Sequence, residues 1–279
     1  MKKILVPTDF SKYSMNAAKL AATIARKFDA RIYFLHVVDM PVVETGIIPG
    51  QTQQDLAEGL FILKQVKKNF KLLLNKDFLK GVNVAEAVLF DGIYESIVKQ
   101  SKKHDIDLIV MGTHGTSGFI NDFFIGSNTD KIVRLSETPV LTVRDEIKDP
   151  SFKNVVFASD FSDGTDATFD SILNIIELFD AKVDLVRIIT RDDFYFTEPL
   201  LEGMEEFAKN KKIKNYACHV FSAETVQEGI NDFAKRQNAD LIVTITHGRR
   251  GLARLFNGSV TNDVIKSSPL PVLTVKAKS

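Results

Sequence analysis

Lys3-Ile4-Leu5-Val6-Pro7-Thr8-Asp9-Phe10-Ser11 returns later in the chain as Asn154-Val155-Val156-Phe157-Ala158-Ser159-Asp160-Phe161-Ser162. The echo continues. Met111-Gly112-Thr113-His114-Gly115, Gly126-Ser127 and Pro139-Val140-Leu141-Thr142-Val143 are answered by Thr244-Ile245-Thr246-His247-Gly248, Gly258-Ser259 and Pro271-Val272-Leu273-Thr274-Val275. Asp9 and Asp160 stand 151 residues apart, as do Phe28 and Phe179, but Asp107 and Asp240 only 133, so the second copy is 18 residues shorter. One fold is written twice. The repeat divides the chain into domains at 1–146 and 152–279, each of ordinary domain size, with a charged boundary around Asp149-Pro150.

Lys3 to Thr8 and Leu108 to Met111 are short, nearly continuous apolar runs, as strands buried on both faces require. Arg31 to Val38 is similar, interrupted by His36. Ala17, Leu20, Ala21, Ile24 and Phe28 recur at helical spacing and form one apolar face, with Ser11 or Ser14 available as a cap. Further helices are expected over Gln54 to Leu79, Gly92 to His104 and Ser127 to Leu135, and strands over Val84 to Phe90 and Pro139 to Val143. Strand and helix alternate. The expected fold class is therefore α/β: two tandem open parallel five-stranded sheets with helices on both faces, Rossmann-like. In such sheets ligands sit beyond the carboxyl ends of the strands, where Asp9, Val38, Gly112 and Gly115 should converge.

Composition excludes several classes. Lys plus Arg and Asp plus Glu are both 36, so no global field recruits nucleic acid or an anionic membrane. No apolar run reaches the roughly 18 residues of a membrane span, and a lone cysteine, Cys218, allows neither an intrachain disulfide nor a cysteine zinc cluster. A cytoplasmic protein without metal is expected.

The chemistry lies in the loop from Met111 to Gly126. Glycines let the backbone approach phosphate oxygens, and the N–H groups of Gly126, Ser127 and Asn128 open a helix without partners of their own. The same residues also serve simply as turns and a cap. A P-loop's Gly-Lys-Ser/Thr ending is absent.

Pro7-Thr8-Asp9, Leu35-His36-Val37-Val38, Gly112-Thr113-His114-Gly115, Gly126-Ser127 and Pro139 to Val143, in this order, resemble the universal stress proteins, and the resemblance covers nearly the whole chain twice. It implies an adenine-nucleotide α-hydrolase-like fold and, in one branch of the family, an adenine-nucleotide site. It would place Pro7, Thr8, Asp9, Val37, Met111, Gly112, His114, Gly115, Gly126, Ser127 and Asn128 around ATP in the first domain, Asp9 facing the adenosine and Val37 the base. Another branch binds no nucleotide. The first copy departs from the family pattern by one residue, since Thr116 to Ile125 is ten residues long.

The second copy departs further. Ile245 replaces Gly112, and its bulk is expected to occupy the ribose position and to oppose a positive φ; Ala158 replaces Pro7. Arg249, Arg250 and Arg254 add positive charge to its loop, as a solvated face also would. No nucleotide is expected there. His114 and His247 read as loop residues, and Phe119, Phe123 and Phe124 as core or contact surface.

Three function classes follow: a nucleotide-binding regulatory or stress-response protein loaded in its first domain, an interaction scaffold that binds no small molecule, and an enzyme. Enzymes of the wider group carry a Ser-Gly-Gly-x-Asp-Ser loop or paired-histidine motifs that are missing here, so no catalytic residue is assigned. The two halves are expected to pair through their last strands as an intrachain pseudo-dimer, with homodimerisation and an unnamed protein partner as further expectations. Asp39 to Gln51 is expected to form a lid over the first site.

Overall fold

A computed structural model describes residues 1–38, 53–114, 126–148, 150–161, 165–177, 179–193, 196–246 and 259–277. The lid segment, Gly115, Phe119, Phe123, Phe124, His247, Gly248, Gly258 and the three loop arginines lie outside the described residues.

The first domain runs β1 (Lys3–Pro7), α1 (Lys12–Phe28), β2 (Arg31–Val38), α2 (Gln53–Leu74), β3 (Val84–Phe90), α3 (Ile93–Lys103), β4 (Leu108–Gly112), α4 (Ser127–Leu135) and β5 (Val140–Val143). The second repeats the order as β6 (Asn154–Ala158), α5 (Thr165–Glu177), β7 (Lys182–Ile189), α6 (Thr197–Asn210), β8 (Tyr216–Ser222), α7 (Val226–Arg236), β9 (Leu241–Thr246), α8 (Ser259–Ser267) and β10 (Val272–Lys276).

Between the two possible caps of α1 the structure selects Ser11, whose hydroxyl accepts the Ser14 N–H at 3.2 Å. The helix ends at Asp29, left-handed at φ 49°. Its predicted apolar stripe is buried from Ala17 to Ile24. The helix expected over Gln54 to Leu79 is instead two pieces. Lys76 is extended at ψ 139°, and a single 3-10 turn follows at Asp77–Leu79. The Lys76 N–H reaches back to the Leu73 carbonyl at 3.0 Å, the tightening that closes a helix end.

The expected two sheets are joined into one. Ten strands line up as β3-β2-β1-β4-β5-β10-β9-β6-β7-β8, parallel throughout each domain and antiparallel where β5 meets β10. Leu141 opposes Leu273 at the centre of that seam, and these are corresponding residues of the two copies, so a pseudo-twofold axis passes between them. Thr142 Oγ1 donates to the Val272 carbonyl and Thr274 Oγ1 to the Val140 carbonyl, both at 3.2 Å. Phe28 and Phe179, again corresponding residues, meet edge to face at 5.4 Å. Asp130 accepts a hydrogen bond from its counterpart Asn262.

One apolar core holds α1, α2, α5 and α6 against the sheet, and a second holds α3, α4, α7 and α8 on the other face. Central strands buried on both sides, such as β4 and β9, explain why their sequences read as unbroken apolar runs. The carboxyl ends of β1, β2 and β4 come together at one edge of the first domain, and the start of α4 faces them.

Candidate functional site

The turn leaving β1 is built from short-range hydrogen bonds. Phe10 adopts φ 62°, held there as its N–H donates to Thr8 Oγ1 at 3.1 Å. Thr8 Oγ1 in turn donates to Ser14 Oγ at 3.2 Å, and the Ser11 N–H donates to Asp9 Oδ1 at 3.0 Å. The second domain builds the same turn, with Phe161 at φ 54° and its N–H on Ser159 Oγ at 3.1 Å. This conserved geometry aims Asp9 at the strand ends.

Beyond those ends lies a cavity of ≈ 270 Å³. Of the residues named from the sequence, Pro7, Thr8, Asp9, Val37, Met111, Gly112, His114, Gly126, Ser127 and Asn128 all line it. Gly115 lies outside the described residues. Sequence reading missed Ser14, Leu35, His36, Ile93, Ile97 and Thr129. Ile93 and Ile97 stand four apart, one helical face of α3 turned to the cavity, a signal present in the sequence but attached to no motif.

The cavity has two kinds of lining. Val37, Met111, Ile93 and Ile97 supply apolar surface. In the same lining α4 begins at Gly126 with no side-chain cap, and the N–H groups of Ser127 and Asn128 meet no acceptor among the described residues. Uncapped first-turn N–H groups concentrate the positive end of the helix dipole. The start of α4 is held in place by the Gly126 N–H on the Thr113 carbonyl at 3.0 Å and by Thr129 Oγ1 on the Gly112 carbonyl at 3.1 Å. Among the described residues Asp9 is the one carboxylate in the lining.

Two histidines flank the cavity. His36 Nδ1 lies 2.7 Å from the Thr8 carbonyl. A carbonyl only accepts, so Nδ1 is the donor in this contact. The ring packs on Phe10 at 5.0 Å. His114 Nδ1 pairs with Thr113 Oγ1 at 2.8 Å, and its ring lies 4.9 Å from that of Tyr13. No group of three or more potential metal ligands occurs among the described residues.

Two expectations about glycine are corrected. A β-carbon on Gly112 would lie 2.7 Å from the Tyr13 carbonyl carbon, and its φ is not positive. This glycine admits the backbone of α1, on the face away from the apolar lining. Its counterpart Ile245 is a buried residue of β9, opposite Val275, in the core beneath α5. The isoleucine therefore does not occupy a ribose position.

The difference between the two clefts lies elsewhere. Val37 is half-buried and lines the cavity, whereas its counterpart Ile188 is 5% exposed and belongs to the core under α7. A β-carbon on Gly229 would sit 2.6 Å from Ile188 Cγ2. Helix α7 thus covers the residue that in the first domain faces open space.

Residues 1–144, and again 151–276, match the model of the universal stress protein family. Over 153 residues the chain is 35% identical to a universal stress protein of Methanocaldococcus jannaschii, an alignment spanning 51% of the chain and 82% of that relative. A universal stress protein of Synechocystis is 24% identical over 296 residues, covering 99% of the chain and all of the relative. The crystal structure of a universal stress protein from Archaeoglobus fulgidus has the same fold end to end, with a TM-score of 0.71 at 21% identity over 99% of this chain and 97% of that one. The Rossmann-like α/β architecture, the ordered landmarks and both family matches agree: the chain belongs to the universal stress protein family, as a tandem pair of its domains.

Proposed function

We propose that the protein is a nucleotide-binding regulatory protein that holds one adenine nucleotide, ATP or a close relative, in its first domain and carries out no chemistry on it. The observation that carries this reading is the pairing of apolar surface with an uncapped helix start in one ≈ 270 Å³ cavity. A purine suits the apolar surface of Val37, Met111 and Ile97. Phosphate oxygens suit the Ser127 and Asn128 N–H groups and the Ser127 hydroxyl, as helix N-termini generally favour anions. With no lysine or arginine among the described residues of the lining, phosphate would be held by backbone dipoles rather than by a point charge. Asp9 suits a ribose hydroxyl as an acceptor.

Titration calorimetry of the full chain with ATP tests this. Binding is expected, and photolabelling with azido-ATP should mark peptides within residues 1–143. No heat at millimolar ATP, or label confined to the second domain, would overturn the reading.

A further inference from the structure

The two ends of the ten-stranded sheet carry opposite charge. At the β3 end, α2 packs Val66, Phe70 and Leu73 into the core and exposes Lys64, Lys67, Lys68 and Lys71. From Gly59 to Leu74 the helix has no acidic residue, and these four lysines make no ion pair among the described residues. Leu60, Phe61 and Leu72 stand among them, 60%, 62% and 59% exposed. At the β8 end, α6 is the counterpart of α2. It packs Met204, Phe207 and Ala208 into the same core. Outward it lines a shallow groove with Glu198, Glu202, Glu205 and Glu206, beside Leu201 and Lys209. Phe196, at its N-cap, is 85% exposed. Of the five large apolar side chains exposed among the described residues, three lie on α2 and one begins α6. Exposed apolar groups set within one sign of charge mark a contact surface.

We propose that this protein self-associates through these ends, with α2 of one copy lying against α6 of a second copy. The lysines of α2 recur every three or four residues, and so do the glutamates of α6, so each helix presents a row to the other. Phe61 and Leu72 would be covered by Phe196 and Leu201, with Lys–Glu pairs as the rim. The occupant follows from charge complementarity. The acidic match to α2 stands on the pseudo-equivalent helix of the same chain, whereas docking to an anionic lipid surface gives α6 no role. Pairing α2 with α2 sets lysine against lysine, so the contact is heterologous; two copies exchanging both helices form it twice. This association requires no nucleotide and stands apart from the proposed site.

Sedimentation of the full chain at low and high salt is the first test, because screening weakens such a rim. We expect dimers or larger species near 50 mM salt and a shift to monomer near 500 mM. The second test uses two charge-reversed chains. One carries Lys64→Glu, Lys67→Glu, Lys68→Glu and Lys71→Glu; the other carries Glu198→Lys, Glu202→Lys and Glu206→Lys. All substituted side chains are solvent-exposed, and circular dichroism checks each fold. Each variant alone should be monomeric at low salt, and an equimolar mixture should associate, because each now complements only the other. A wild-type chain that stays monomeric at low salt overturns the proposal, including the case in which it pellets with phosphatidylserine vesicles instead. Variants that each associate alone as the wild type does overturn it equally. The salt series of the unmodified chain needs no variant to fold.

Discussion

Gly112 passes Tyr13 so closely that a β-carbon on the glycine would lie 2.7 Å from the tyrosine's carbonyl carbon and 2.8 Å from its carbonyl oxygen. The contact is with backbone, so it cannot be relieved by a rotamer change. Replacing Gly112 with alanine should push α1 away from β4 and destabilise the chain by about 1–3 kcal/mol, the usual range for overpacking. Urea unfolding reads the change. An unaltered midpoint would show that α1 yields freely at its start.

The seam between the domains rests on reciprocal bonds as well as apolar packing. Thr142→Val removes the hydroxyl that reaches the Val272 carbonyl, and Thr274→Val removes its mate on the Val140 carbonyl. Both threonines are 1% exposed, and valine nearly preserves their shape. Each substitution should cost about 1 kcal/mol. The double variant should cost about the sum, because the bonds share no atoms. If neither single variant lowers the urea midpoint, the seam does not depend on these hydroxyls.

Cys218 should be a slow thiol. Burial, reinforced by the charge of Glu205, pushes its pKa from 9.0 up to about 12. Only the thiolate attacks an alkylating agent. At pH 8 the native protein should therefore react with iodoacetamide roughly a hundred- to a thousandfold more slowly than the urea-unfolded chain. The linkage has a definite sign: the folded pKa is the higher one, so this group's stabilising contribution is complete below pH 9 and lost as pH rises towards 12. Equal alkylation rates in native and unfolded protein would contradict the burial of the thiol.

Much of this was legible because parallel strands buried on both faces leave apolar runs, and because two copies of one pattern check each other. The landmarks Pro7-Thr8-Asp9, Met111-Gly112 and Gly126-Ser127 stand at strand ends and a helix start, and the fold gathers them around one cavity. What failed was direction. Side chains alternate along a strand, so a residue next to Met111, which lines the cavity, turns to the opposite face. Counting that parity would have sent Ile245 beneath α5 rather than into a ribose position. The break in α2 was hidden for another reason. The apolar spacing runs on to Leu79, and only the backbone turn at Asn75 to Asp77 ends the helix. The continuous sheet comes from pairing β5 with β10, as expected of two short runs that would otherwise be exposed edges.

The apolar and helix-start portions of the cavity lining should respond to different substitutions. Gly126 sits at φ −56° and ψ 137°, a conformation open to any residue, so Gly126→Phe changes the space beside α4 without straining the backbone. It should weaken ATP binding at least tenfold, about 1.4 kcal/mol, by filling the region proposed for phosphate. Ser127→Ala removes one hydroxyl and leaves the N–H groups in place, so about 1 kcal/mol, several-fold in affinity, is expected. Val37→Trp should fill the space beside the apolar lining and weaken adenine and adenosine as strongly as ATP, whereas Gly126→Phe should affect ATP far more than adenosine. Titration of all three variants with ATP and with adenosine separates the two portions. In the second domain Ile188 is already packed beneath α7 beside Gly229, so the wild-type chain should show about one site. Two equivalent sites, or three variants that weaken both ligands alike, would break the assignment of base and phosphate to these two portions of the cavity.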